Sequence, residues 1–229
     1  MNNTATNLDT NTEAGVPTQL AKYSTSAISD ALDRFGIHGQ MLGIKPLDRS
    51  FRLVGRAFTG RYQPVGAGGG TVGDYIDDVP AGSVVVLENG GRDDATVWGD
   101  ILTAVAHRRG LAGTVIDGVC RDSDRALEVG YPIFSRGNTM RTGKDRVTLA
   151  SVDVPVTIDN VLVHPGDILI GDSDGVVVIP APLEDAVLDA VRVIEETEEQ
   201  IRVAVESGER LDDARRRLAY HTLQTKVTE

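Results

Sequence analysis

Two short segments hold the residue types that can do chemistry. The first is Val115-Ile-Asp-Gly-Val-Cys-Arg-Asp122. Its start reads as a buried strand and its end as a loop. Loops at the carboxyl ends of strands are the usual ligand positions in α/β sheets. A carboxylate at Asp122 can hold a hard cation, and the guanidinium of Arg121 can clamp a carboxylate or a developing enolate. On spacing alone, the pair reads equally well as a surface ion pair in a turn. The second segment is Trp98-Gly-Asp-Ile-Leu102. A helix that starts here leaves the N–H groups of its first turn unpaired, which makes a seat for a carboxylate. Asp100 is either part of that site or only an acid favoured by the helix dipole.

The surrounding pattern says what must position these residues. Ser24, Thr25 and Ser26 can cap a helix that carries Ile28, Leu32 and Phe35, with Gly36 ending it. Residues 51–59 alternate as a strand, and residues 83–87 and 113–117 are short apolar runs typical of buried strands. Residues 97–109 predict a helix with Ile101, Leu102, Val105 and Ala106 on its apolar face and Gly110 at its end. A loop at 118–122, a short helix at 124–129 and a short strand at 132–134 follow. From 146 to 179 the texture predicts four or five short strands. From Pro182 the pattern turns helical, with Val187, Leu188, Val191, Ile194, Ile201 and Val205 at helical spacings. Ser207-Gly208 breaks it, and a second helix runs to about Leu223. The sum is a layered α/β domain with helical arms at both ends. Residues 1–17 are expected to be a tail, 18–206 the catalytic domain with the start of a long helix, and 207–229 a helical extension. Such a charged terminal helix with a narrow apolar stripe often packs on a neighbouring subunit.

Composition narrows the function classes. The chain has 229 residues, 41% of them apolar, and a net charge of −11. That charge repels a phosphate backbone, so a nucleic-acid partner is not expected. The single cysteine, Cys120, allows no internal disulfide and fits a reducing, cytoplasmic setting. No apolar run is long enough for a membrane span, and the polar N-terminus shows no signal-peptide core. Several other features read as structural. The run from Gly66 to Gly70 lacks the Lys-Ser/Thr of a phosphate loop and is expected to be a flexible loop beside the site. Asp172-Ser-Asp-Gly175 lacks the glutamate of a calcium loop and reads as a tight turn between strands. Cys120 has no evident base partner. His38, His107, His164 and His221 are dispersed. Lys144, between Gly143 and Asp145, reads as an exposed turn rather than a Schiff-base lysine.

Three stretches together resemble one family. They are the run from Trp98 to Asp122, the segment from Val163 to Pro180, and Ser29-Asp-Ala-Leu-Asp33. The motifs are G-D-x-L, D-G-x-x-R-D and G-D-x-D-G-V-x-x-x-P. The chain is similar, over roughly residues 20–205, to the 4-hydroxy-4-methyl-2-oxoglutarate and 4-carboxy-4-hydroxy-2-oxoadipate aldolases. The regulator of ribonuclease E activity A shares their fold. The resemblance implies a β/β/α core of the swivelling, phosphohistidine-domain-like kind with N-terminal helices and a long C-terminal extension. It implies a lyase that splits pyruvate from a 4-hydroxy-2-oxo acid, with oxaloacetate decarboxylation as a side activity. Asp122 matches the metal-binding aspartate, with Mg²⁺ or Mn²⁺ as the ion and water filling most of its shell. Arg121 matches the arginine that faces the pyruvyl group. Asp100 matches the acid that orders water and the reacting oxygen. Gly99 and the amides of Ile101 and Leu102 match the seat of the pyruvyl carboxylate. Glu198 matches a glutamate that reaches a neighbouring subunit's site, with Glu195, Glu196 and Glu199 as rivals. A homotrimeric or homohexameric ring is implied, as is a role in aromatic-compound breakdown. The other class to weigh is a non-catalytic regulator. That branch tends to lack the metal-binding acid and the long C-terminal helix. A related lyase acting on another 2-oxo acid is the third reading.

Overall fold

The computed structural model describes residues 15–66 and 70–223. It opens with helix α1 (Val16–Leu20), which begins inside the stretch expected to be a tail. Helix α2 (Thr25–Arg34) follows. The Ser24 side chain caps it, accepting the Ala27 N–H at 3.1 Å. Ile28 and Leu32 are fully buried, whereas Phe35 lies past the last helical residue and is 37% exposed. Gly36, at φ 66°, takes the left-handed turn that ends the helix.

Strands β1 (Gln40–Met41) and β2 (Lys45–Pro46) are too short to show any alternation in sequence, and neither was expected. Strand β3 (Leu53–Pro64) is longer than expected. It is followed by β4 (Val84–Arg92), helix α3 (Asp100–Arg108), β5 (Gly113–Cys120), helix α4 (Ser123–Val129) and β6 (Ile133–Asn138). The predicted run of short strands resolves into five: β7 (Val147–Val152), β8 (Val156–Ile158), β9 (Val161–Val163), β10 (Ile168–Asp172) and β11 (Gly175–Ile179). Helix α5 (Glu184–Glu206), helix α6 (Leu211–Arg217) and a 3-10 turn (Tyr220–Thr222) close the described chain; the helix expected to reach about Leu223 ends at Arg217, because Ala219 turns left-handed at φ 52°.

Two boundaries differ from the sequence reading near the chemistry. Helix α3 starts at Asp100, because Gly99 before it is extended and Val97 and Trp98 are buried ahead of the first turn. Strand β5 absorbs most of the expected loop, because Val119 and Cys120 still pair with Gly137 and Asn138 of β6. The chemical residues therefore begin immediately after a strand, at Arg121.

The main sheet runs β1-β11-β10-β3-β4-β5-β6-β2, with β7 also on β3. Strands β3 to β6 are parallel neighbours, and β10 pairs antiparallel with β3 and β11. Its two end strands, β1 and β2, are separated by only three residues in the chain, so the sheet curls back toward itself. Alternation along the strands divides the interior into layers. Val85, Leu87, Ile116 and Ile133 face a core with Trp98 and Ala106 on the α3 and α4 side. Val84, Val86, Val115, Phe134, Leu169, Val176 and Val178 fill the space between the two halves of the sheet. Ile168, Ile170, Val177 and Ile179 face α2 and α5 through Ile28, Leu32, Val187, Val191 and Ile194. Beyond Ile194, α5 leaves this core and makes a small one of its own with α6, through Ile201, Ala204 and Ala214. Val205, expected on the buried stripe, is 40% exposed.

Candidate active site

The sheet brings the two chemical segments into contact. The Arg121 N–H donates to the Trp98 carbonyl at 3.0 Å, tying the end of β5 to the approach of α3. Trp98 is locked on both sides. Its ring stacks parallel to Tyr131 at 6.0 Å, and its indole N–H donates to Thr103 Oγ1 at 3.0 Å. Thr103 in turn donates through both its N–H and its hydroxyl to the Gly99 carbonyl, each at 3.0 Å. Gly99 is therefore held where its missing side chain matters. A Cβ there would lie 2.9 Å from Asp122 Oδ2 and 3.3 Å from Arg121 Nε.

Asp122 adopts a left-handed conformation, φ 53° and ψ 40°, at the residue before α4. Aspartate tolerates this region better than most side chains. Its carboxylate does not cap α4. It turns toward α3, with Oδ2 3.3 Å from Arg121 Nε and a long 3.4 Å from the Asp100 N–H. Asp100 Oδ1 accepts the N–H of Ile101 at 2.8 Å. Two carboxylates thus occupy the first two amides of α3. The Leu102 N–H has no hydrogen-bond partner among the described residues.

The first turn of α3 and Arg121 border a cavity of about 540 Å³, while Asp122 lies against Gly99 and is not among the lining residues. Its lining comes from the first turn of α3, from Arg121, from the 70–77 segment with Asp74 and Asp77, and from the turn Thr142-Gly143-Lys144. Trp98, Val72, Ile76, Leu102 and Val105 supply its apolar surface. Gly99, Asp100, Ile101, Leu102 and Arg121 all line it. Ile101 was expected on the buried face of α3, but it is 74% exposed at the cavity edge. Buried positions on α3 are instead Thr103 and Ala106.

Glu198 lies elsewhere in the same chain. It borders a groove with Arg202, Leu211, Arg215 and Tyr220, 3.6 Å from Arg202. Burial, then the nearby Glu195 and Asp30, hold its carboxyl above the usual range. Glu195 and Glu199 pair with Arg202 at 2.7 and 2.8 Å, and Glu196 borders a further groove beside Lys22 and Arg192. None of these glutamates lines the cavity.

Other sequence features fall as follows. The middle of the Gly66 to Gly70 run lies outside the described residues, while Gly70 lines the cavity. Cys120 is buried, and burial pushes its thiol up to about 11. No histidine lines the cavity. Asp172 and Gly175 close the β10–β11 hairpin, as the turn reading required. Lys144 does sit in an exposed turn, but that turn also forms part of the cavity wall. The sequence reading missed this, together with Asp74 and Asp77. The available signal was the glycine before Lys144.

Among the described residues, no group of three or more His, Cys, Asp or Glu converges on one point. Asp122 and Asp100 are the carboxylates present beside Arg121. One or two carboxylates, with water and substrate oxygens completing the shell, is the donor set that suits Mg²⁺ or Mn²⁺ rather than zinc or calcium. The residues therefore fit a hydrated hard cation.

Comparison with known proteins identifies the family. The family model described as RraA-like, Aldolase/RraA, matches residues 25–178. The chain belongs to the RraA-like family. Protein DlpA of Legionella pneumophila is 39% identical over 93% of this chain, which spans only 35% of that protein's length. A putative 4-hydroxy-4-methyl-2-oxoglutarate aldolase of Halalkalibacterium halodurans is 34% identical over 76% of this chain and 81% of its own. Among solved structures, an uncharacterized protein of Pseudomonas syringae is 45% identical, with a TM-score of 0.82 over 87% of this chain and 96% of its own. RraAS2 of Streptomyces coelicolor, titled an unusual member of the RNase ES inhibitor RraA protein family, is 30% identical with a TM-score of 0.76, covering 82% of this chain and 95% of its own. The family thus includes proteins named as aldolases and proteins named as ribonuclease inhibitors. No described helix is long and apolar enough to cross a membrane.

Proposed function

We propose that this protein is a divalent-metal-dependent aldolase that cleaves a 4-hydroxy-2-oxo acid to pyruvate and a second oxo acid. The observation that carries the reading is the pairing of Arg121 and Asp122 against the first turn of α3, at the wall of a cavity. Four residue roles follow. The amides of Ile101 and Leu102 seat the pyruvyl carboxylate, and Asp100 must release the Ile101 N–H for this to happen. Arg121 donates to the 2-keto oxygen and stabilises the oxyanion as charge develops there. Asp100, once freed, receives the C4 hydroxyl proton directly or through one ordered water. Asp122 would hold Mg²⁺ or Mn²⁺, which when bound supplies Lewis acidity at the same keto oxygen.

The reaction balances without a redox partner. The C4 hydroxyl loses its proton, the C3–C4 bond breaks, and C4 leaves as a carbonyl. The electron pair remains on C3 as the pyruvate enolate, which then takes up a proton. Decarboxylation of oxaloacetate leaves the same enolate, so this chain is expected to catalyse that side reaction. Glu198 is assigned to a neighbouring copy's site in a trimeric or hexameric ring, since its own chain holds it away from the cavity. The aldolase name carried by the Halalkalibacterium relative supports the reading. The inhibitor title of RraAS2 supports the other class, a regulator that acts by binding.

The test is pyruvate release from 4-carboxy-4-hydroxy-2-oxoadipate and from oxaloacetate, with Mg²⁺ or with EDTA. Turnover that depends on the metal is expected. A folded, metal-supplied protein that releases no pyruvate from either compound would favour the regulator class or another substrate.

A further inference from the structure

We propose that Lys144 seats a second carboxylate on the substrate and so selects dianionic 2-oxo acids. The proposal rests on the aldolase reading for one point, that the pyruvyl end lies at α3 and Arg121.

The turn that carries Lys144 is built to a fixed position. Gly143 approaches the Thr96 backbone so closely that a Cβ would lie 2.0 Å from the Thr96 carbonyl oxygen. Thr96 and Thr142 form an isolated parallel bridge. The Lys144 N–H donates to Thr142 Oγ1 at 3.2 Å. The Arg146 guanidinium ties the turn from outside, donating to the carbonyls of Thr142 at 3.0 Å and Lys144 at 3.4 Å. Backbone contacts thus hold the turn on the same Thr96–Gly99 stretch that leads into α3. The ammonium, in contrast, is uncommitted among the described residues: it has no carboxylate within 4.0 Å, although the chain carries a net charge of −11.

The charges around the cavity make this placement selective. The lining has two cations, Arg121 and Lys144, and three acids, Asp74, Asp77 and Asp100. Asp100 is engaged by the Ile101 N–H, and Arg121 touches Asp122 through Nε. Asp74 and Asp77 repel a carboxylate wherever no cation offsets them. A substrate with one carboxylate can be satisfied at α3 and Arg121 alone. Among the described lining residues, the counter-charge left for a second carboxylate is Lys144. The cavity, at about 540 Å³, is also far larger than a three-carbon acid fills.

The experiment is calorimetric binding of 2-oxoglutarate and of 2-oxopentanoate, which has the same carbon chain without the distal carboxylate. It uses the full chain with Mg²⁺, as wild type, Lys144→Met and Lys144→Arg. Loss of a charge-assisted bond is expected to weaken 2-oxoglutarate about 10- to 100-fold in Lys144→Met. Binding of 2-oxopentanoate should change less than about twofold, and Lys144→Arg should restore most of the diacid preference. A Lys144→Met variant that binds both acids as wild type does, or weakens both equally, overturns the proposal. Pyruvate release by the wild type judges the aldolase reading separately, because the binding preference is measured without turnover.

Discussion

At the residue scale, the site depends on close approach and on one unusual backbone. Gly99 gives Asp122 and Arg121 room that any side chain would take away. The atoms that a Cβ would meet are the ends of side chains, not backbone, so Gly99→Ala is expected to fold normally and to displace the carboxylate. A shift of about 1 Å in such a group typically costs around 100-fold in rate. The expected result is a kcat/KM lower by roughly that factor, with stability changed by less than about 1 kcal/mol in urea unfolding. A Gly99→Ala enzyme as fast as wild type would show that the pair need not sit where it does. The sequence displayed Arg121, Asp122 and Asp100 as candidates. It did not display that Asp100 would cover the Ile101 amide, because that hydrogen bond exists only once α3 starts at Asp100 rather than three residues earlier. Nor did it reveal Lys144 as a wall residue, since that needs Thr96 and Thr142, far apart in sequence, to meet.

At the element scale, the D-x-D-G segment proves to be an anchor between α2 and the β10–β11 hairpin. The Asp172 carboxylate accepts the Thr25 N–H at 2.9 Å, the Thr25 hydroxyl at 2.7 Å and the Asp174 N–H at 2.9 Å. Burial pushes its carboxyl up, but these three hydrogen bonds outweigh it and hold the carboxyl below its ordinary value of 3.8. A depressed carboxyl stabilises the fold above that ordinary value, and the contribution is lost as the pH falls through the depressed one. Asp172→Asn is therefore expected to lose about 1–3 kcal/mol at pH 7, and the gap to wild type should narrow as the pH falls below 3.8. Urea midpoints at several pH values check this, and a gap independent of pH would contradict it. The turn itself was legible from Asp and Gly. Its grip on Thr25 was not, since nothing local links a hairpin to a helix so far upstream. The buried strands β4 and β5 were legible as apolar runs, whereas β1 and β2 lie below the length at which alternation can be seen.

At the scale of the whole molecule, the layered α/β architecture followed from the alternation of elements, but the curl of the sheet did not. It depends on β1 and β2 sealing opposite ends of the strand order, which is a long-range pairing. Asp122 and Glu198, expected in one site, do not meet within one chain, which poses the main question about assembly. If one copy's Glu198 serves its neighbour, Asp122→Asn and Glu198→Gln should each be inactive alone. Mixed one to one under subunit exchange, about a quarter of the sites would regain both groups. Recovery on that order is the expected outcome, and no recovery despite demonstrated exchange would remove Glu198 from the site. The central claim, that Arg121 and Asp122 stabilise the pyruvate enolate, can be tested without knowing the group carried at C4. The measurement is exchange of the pyruvate methyl protons for deuterium in D₂O with Mg²⁺, followed by NMR, for wild type and Asp122→Asn. Asparagine keeps the left-handed backbone and removes the charge. Metal-dependent exchange in wild type, reduced at least about 100-fold in Asp122→Asn, is the predicted result. Exchange at the same rate in the variant, or none in a folded and metal-supplied wild type, would contradict the account.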